Sequence, residues 1–154
     1  MGEWRFACDA MLGRLARWLR FAGCDASYDP SLSDPALAGQ ARAEGRWLLT
    51  CDRRLAALAG PRVVLLRGTG VAAQIRELRQ RLPFPLEPER FLTRCSHCNG
   101  TLAEVGREAA RDRVPPYVAA HAARFVACSR CGRLYWPGTH AARIARQLEA
   151  WLDG

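Results

Sequence analysis

Two Cys-x-x-Cys pairs constrain this chain more than any other feature. Cys95-Ser96-His97-Cys98 and Cys128-Ser129-Arg130-Cys131 are separated by 29 residues. Each pair sets two thiolates on one tight turn, and two such knuckles complete a tetrahedral four-sulfur shell, the pattern of a structural zinc site. Four sulfurs leave no position open for water, so zinc held by Cys95, Cys98, Cys128 and Cys131 supports the fold and does no chemistry. The segment around it, residues 91–154, is too short to build a large core alone, and the metal substitutes for one. Ahead of it, Pro83-Phe84-Pro85-Leu86-Glu87-Pro88 can be neither helix interior nor central strand, which divides the chain into residues 1–90 and 91–154. The other cysteines, Cys8, Cys24 and Cys51, stand singly and suit small core or edge positions. This thiol usage fits a reducing compartment. Because no apolar run approaches the ~20 residues of a membrane span and no signal core opens the chain, the expected location is the cytoplasm, with no membrane partner.

The first 90 residues alternate between two periodicities. Phe6-Ala7-Cys8 is an apolar run that reaches a carboxylate at Asp9, after which Leu12, Leu15, Leu19 and Ala22 fall on one helical face and Gly23 marks the stop. A short strand is expected over residues 25–28. Ser33-Asp34-Pro35 then opens a helix with Asp34 as its cap and Gly45 after its end. Residues 46–50 form a buried strand ending at Cys51-Asp52, and residues 53–59 a short helix. Residues 62–67 give the clearest strand, and Gly68-Thr69-Gly70 leads to a helix from Val71 to about residue 82. Strands alternating with helices imply an α/β fold whose parallel sheet is covered on both faces. A last helix is expected over residues 141–152.

Asp9 and Asp52 each end a buried strand that leads into a helix, so both should project from the C-terminal edge of the sheet, where open α/β folds bind ligands. Asp34, at the start of a helix after a strand, belongs to the same edge. Three converging carboxylates repel unless a divalent cation joins them, and magnesium or manganese is the hard ion such oxygen donors suit. Each acid has a structural alternative, since all three stand where helix caps stand. Thr50, two positions before Asp52, either orients a carboxylate or fills the strand.

All 23 basic residues are arginine, and the net charge is +8. Residues 1–90 hold 14 arginines against 10 acids and residues 91–154 hold 9 against 5, so neither part is merely a basic tail. Arginine binds phosphate bidentately and stacks on bases, which makes RNA or DNA a natural partner. A GC-rich codon bias accounts equally well for the missing lysine. Arg14, Arg17 and Arg20 recur every third residue on the first helix and are candidate backbone contacts. Arg130, Arg133, Tyr135 and Trp136 form a basic and aromatic set suited to phosphates and unstacked bases. His140 either caps the final helix or meets phosphate. His97 and His121 look like ordinary polar residues.

In these segments the chain resembles the Mut-seven C-terminal RNase domains, members of the PIN-like nucleases. The matching pieces are the run from Asp9-Ala10-Met11-Leu12-Gly13-Arg14 to Arg20, Ser33-Asp34, Gly45-Arg46-Trp47-Leu48-Leu49-Thr50-Cys51-Asp52-Arg53, Arg94-Cys95-Ser96-His97-Cys98-Asn99-Gly100, and Tyr135-Trp136-Pro137-Gly138-Thr139-His140. The resemblance covers nearly the whole chain. It implies a PIN-like fold carrying a zinc ribbon, with Asp9, Asp34 and Asp52 at the family's acidic positions and RNA as the substrate. Cys51 stands where the family often has arginine, and the next acid after Asp52 is Glu77, in a later helix.

The expected protein is a ribonuclease that hydrolyses phosphodiester bonds through Asp9, Asp34, Asp52 and magnesium or manganese, with zinc in its ribbon. The alternative of a different class is a non-catalytic module that binds RNA or a protein through the ribbon.

Overall fold

The computed structural model describes residues 4–154. Four short strands, β1 (Arg5–Cys8), β2 (Asp25–Tyr28), β3 (Trp47–Thr50) and β4 (Val63–Leu65), form one parallel sheet in the order β2-β1-β3-β4. The connections carry α1 (Gly13–Phe21), α2 (Asp34–Ala43) and α3 (Arg53–Leu58), and α4 (Val71–Arg81) follows β4. A single 3-10 turn, Ala10–Leu12, joins β1 to α1.

Side chains alternate across a strand, so each central strand feeds two cores. Phe6, Cys8, Leu49 and Val64 join Leu15 and Leu19 of α1 and Ile75 and Leu78 of α4 on one face. Ala7 and Leu48 meet Leu37, Ala38 and Ala41 of α2 and Leu55 of α3 on the other. Burial on both faces is what near-continuous apolar strands require. The proline-rich connector is irregular, as expected, yet it contributes Phe84 and Leu86 to the first core, with the Phe84 ring 5.5 Å from that of Phe6.

After the connector, β5 (Leu102–Val105), β6 (Phe125–Cys128) and β7 (Leu134–Tyr135) make an antiparallel sheet in that order. Between β5 and β6 lie the short helices α5 (Arg107–Ala110) and α6 (Pro116–His121). The apolar centre here is small, built on Ala110, Ala122 and Phe125. The last helix, α7 (Thr139–Asp153), returns to the larger core through Ile144 and Leu148. Its Trp151 ring sits 4.9 Å from Trp18 of α1, and Arg79 of α4 donates to the Trp151 carbonyl at 2.7 Å. No helix among the described residues is long and apolar enough to cross a membrane.

The parallel sheet and the cysteine ribbon meet at buried polar contacts. The Arg20 guanidinium donates to the carbonyls of Ala26 (2.8 Å), Ser96 (3.1 Å) and His97 (3.3 Å). Asn99 accepts from the Ala26 amide at 3.0 Å and donates to Asp25 at 2.7 Å, while Arg46 donates to the same Asp25 oxygen at 2.6 Å. Arg20 is therefore not on the exposed face of α1. It is 7% exposed, and its guanidinium ties β2 to the first knuckle, which corrects its expected place among the nucleic-acid contacts.

Candidate functional site

The strand order puts β1 between β2 and β3, so the residues that follow these strands share one edge. Asp9 directly follows β1 and is only 5% exposed. Its Oδ1 accepts the Met11 amide at 2.9 Å, which caps the 3-10 turn, and its Oδ2 accepts the Thr50 hydroxyl from the neighbouring strand. The same hydroxyl oxygen accepts the Asp52 amide at 2.9 Å. Thr50 thus spans both acids, orienting one carboxylate and fixing the backbone of the other. Asp52 is exposed and caps α3, its Oδ1 accepting the Arg54 amide at 2.8 Å.

Asp34 differs from its expected role. Ser33 caps α2, its hydroxyl accepting the Ala36 amide at 3.3 Å, and Asp34 is the exposed first residue of the helix. A shorter hydroxyl one position earlier meets the amide, which leaves the Asp34 carboxylate outside the cap.

Among the described residues, no ion pair joins Asp9, Asp34 or Asp52 to a basic side chain, although the chain carries 23 arginines. The negative field is felt nearby. The exposed Cys51 thiol is pushed up by partial burial and then by the charges of Asp9 and Glu77, and burial drives the Cys8 thiol up to about 12. Glu77 is an acid at this edge that sequence reasoning set aside. Its carboxylate accepts the amides of Arg67 (3.0 Å) and Gly68 (3.0 Å), just beyond β4, so its oxygens hold that loop. No local pattern announces a contact between an α4 side chain and a turn ten residues earlier.

The four cysteines fit a metal closely. Among the described residues they are the one group of three or more His, Cys, Asp or Glu placed to hold an ion together, with all four sulfurs within 4.8 Å of one another. A zinc–sulfur bond of about 2.3 Å in a tetrahedron implies sulfurs about 3.8 Å apart. Cys95 and Cys131 stand at 3.7 Å and Cys98 and Cys128 at 3.3 Å. The Cys128 sulfur accepts the amides of Arg130 and Cys131, both at 3.4 Å, and these bonds overcome burial to draw its pKa down to about 6. The Tyr135 hydroxyl lies 3.1 Å from the Cys95 sulfur. A metal such as zinc is thus the ion this donor set could hold.

The aspartates do not form a second such group among the described residues. Their donor set is all oxygen, and a small divalent cation typically takes one or two protein carboxylates and completes its shell with water and substrate phosphate. An open acidic edge is chemically compatible with that mode, whereas the sulfur shell is closed.

The expected nucleic-acid residues separate into groups. Arg14 and Arg17 are exposed on α1. Arg17, Arg133, Tyr135, Trp136 and His140 all face one cleft between α1 and the ribbon. Arg130 lies outside that cleft, with its guanidinium on the Cys98 carbonyl at 3.2 Å, bracing one knuckle against the other.

No curated protein and no solved structure matches the chain. A family model does match, over residues 4–148, and it is described as the Mut7-C RNAse domain. The parallel sheet with its acidic C-terminal edge, the four-cysteine ribbon and α7 down to Leu148 all lie within that match, and the chain belongs to the Mut7-C RNAse domain family.

Proposed function

We propose that this protein is a metal-dependent ribonuclease with a PIN-like nuclease unit, cutting RNA phosphodiester bonds at the edge defined by Asp9, Asp34 and Asp52. One observation carries the reading: Asp9 is a buried carboxylate with no arginine partner among the described residues. Two hydrogen bonds satisfy that carboxylate only in part, and a buried charge without an opposite charge stays costly unless a cation completes it. Membership of an RNase family supports the same reading.

Magnesium or manganese bound at this edge would supply positive charge to the scissile phosphate and acidify the attacking water. The chain's own residues hold the donors in place. Each Asp9 oxygen accepts one protein hydrogen bond and keeps a second lone pair for a ligand. Asp52 keeps Oδ2 outside its cap, and Asp34, released from capping by Ser33, stands exposed at the first turn of α2. Arg14 is a candidate contact for a flanking phosphate. The attacking group in this reading is water, with the carboxylates serving as metal donors, so no covalent enzyme intermediate forms. In the ribbon, zinc on Cys95, Cys98, Cys128 and Cys131 has a structural role.

The test is cleavage of a panel of labelled RNAs by zinc-loaded protein, with and without manganese, comparing wild type with Asp9→Asn. Manganese-dependent cutting that disappears in the variant, with RNA binding retained, is the expected result. Binding by both proteins with cutting by neither would overturn catalysis and favour a non-catalytic binding module.

A further inference from the structure

The cleft between α1 and the ribbon has two joined lobes. The inner lobe encloses about 370 Å³ and is walled largely by apolar groups, including Phe21 of α1 and Ile144 of α7. The outer lobe encloses about 420 Å³ and is more polar. Arg17, Tyr135 and Trp136 line both. Arg124 stands at the inner lobe and Arg133 at the outer, both on exposed positions, and no Asp or Glu lines either lobe.

This arrangement is held from behind. Arg17 lies over the Phe21 ring at 5.5 Å, which keeps its guanidinium at the mouth. Tyr135 is anchored through its hydroxyl to the Cys95 sulfur, and Trp136 packs on Phe125 with ring centroids 6.4 Å apart. The two adjacent aromatic side chains are half-buried. An apolar recess with aromatic walls and an arginine rim free of acids complements a ligand of flat apolar groups strung on a polyanion. That description matches unpaired nucleotides: bases stack on aromatic side chains and phosphates meet arginine.

We infer that this cleft binds a single-stranded segment of RNA, with an unstacked base in the inner lobe against Trp136 and flanking phosphates on Arg17, Arg124 and Arg133. The inference rests on the ribonuclease reading for its choice of RNA and adds the conformation of the substrate. Arg17 follows Asp9 by eight residues along the 3-10 turn and α1, a rise of about 13 Å, so a strand seated in the cleft reaches the acidic edge within a few nucleotides. A duplex keeps its bases stacked and cannot fill the recess.

The experiment uses the full zinc-loaded chain carrying Asp9→Asn, without added divalent ions, so that binding is measured apart from cutting. The probes are a fluorescein-labelled ten-nucleotide RNA of mixed sequence, its duplex with the complementary strand, and a version containing one 2-aminopurine. Single strands are expected to bind at least tenfold tighter than duplex, with the 2-aminopurine emission quenched on binding. Trp136→Leu is expected to weaken single-strand binding about tenfold, the scale of one lost stacking contact, and to abolish the quench. Arg17→Glu, on an exposed helix position that does not endanger the ribbon core, is expected to weaken it at least tenfold and to flatten the salt dependence. Arg76→Glu, an equal charge change elsewhere, serves as the comparison. Equal affinity for duplex, or Arg17→Glu and Trp136→Leu no weaker than Arg76→Glu, would overturn the cleft, as would competition by polyglutamate as effective as by RNA. Cleavage by the wild type with an inert cleft would leave the nuclease standing. Cleft binding without any cleavage would leave the cleft standing and remove the nuclease.

Discussion

Thr50→Val isolates the device that joins the two strand-end acids. Thr50 is fully buried, and its hydroxyl donates to Asp9 while accepting the Asp52 amide at 2.9 Å. Valine keeps the β-branch that suits a central strand and puts a methyl where the hydroxyl was. A hydrogen bond to a buried carboxylate contributes about 1.5–3 kcal/mol, and the orphaned, partly buried amide adds about 1 kcal/mol. The expected loss is about 3 kcal/mol, or roughly 6–12 °C in melting temperature for a chain of this size. Urea and thermal unfolding of zinc-loaded protein, without magnesium or manganese, measure it. The same substitution made in Asp9→Asn should cost about 2 kcal/mol, because only a neutral hydrogen bond and the Asp52 amide contact are then lost, giving a coupling of about 1 kcal/mol. A Thr50→Val protein within about 0.5 kcal/mol of wild type, or an equal cost in both backgrounds, would refute the bridge.

Two further outcomes follow from the ribbon and its junction. A Cβ added at Gly100 would lie 2.6 Å from the Cys128 sulfur and 3.3 Å from that of Cys98, so Gly100→Ala should cut zinc retention at least tenfold in a chelator competition while the parallel-sheet core persists; unchanged retention would contradict the cluster geometry. Asp25 is partly buried, which works against its charge, but Arg46 at 2.6 Å and Asn99 at 2.7 Å hold its carboxyl below the ordinary range. A depressed folded pKa contributes stability that is full above the unfolded value of about 3.9 and is lost as pH falls through the folded one. Asp25→Asn should therefore be less stable than wild type at neutral pH, with the gap closing below about pH 4 in urea titrations; a gap independent of pH would contradict the assignment.

The switch from strand to helical spacing around Asp9 was legible because both periodicities are local, and so were the parallel sheet and the four-cysteine shell. What escaped were choices made by tertiary contact. Ser33 and Asp34 are both good caps, and only the backbone angle decided that the serine bonds Ala36. Arginines three apart do not stay on one face: each step falls about 60° short of a turn, so Arg20 is carried about 120° round from Arg14 and into the junction. There its guanidinium meets knuckle carbonyls more than seventy residues away in sequence. Thr50 was visible as a possible orienting group, but its double role required β1 and β3 to be neighbours. Trp136 and Arg17 were each suggestive alone, and only the return of the chain across α1 placed them in one cleft.

The central claim is that the edge at Asp9 takes a divalent cation. Titration of manganese into zinc-loaded protein, followed by the electron paramagnetic resonance of the free ion, tests it most directly in wild type, Asp9→Asn and Asp52→Asn. Binding by wild type that falls at least tenfold in both variants, with zinc content unchanged, is the predicted result. Manganese binding of equal strength in all three proteins, or in none, would contradict the site.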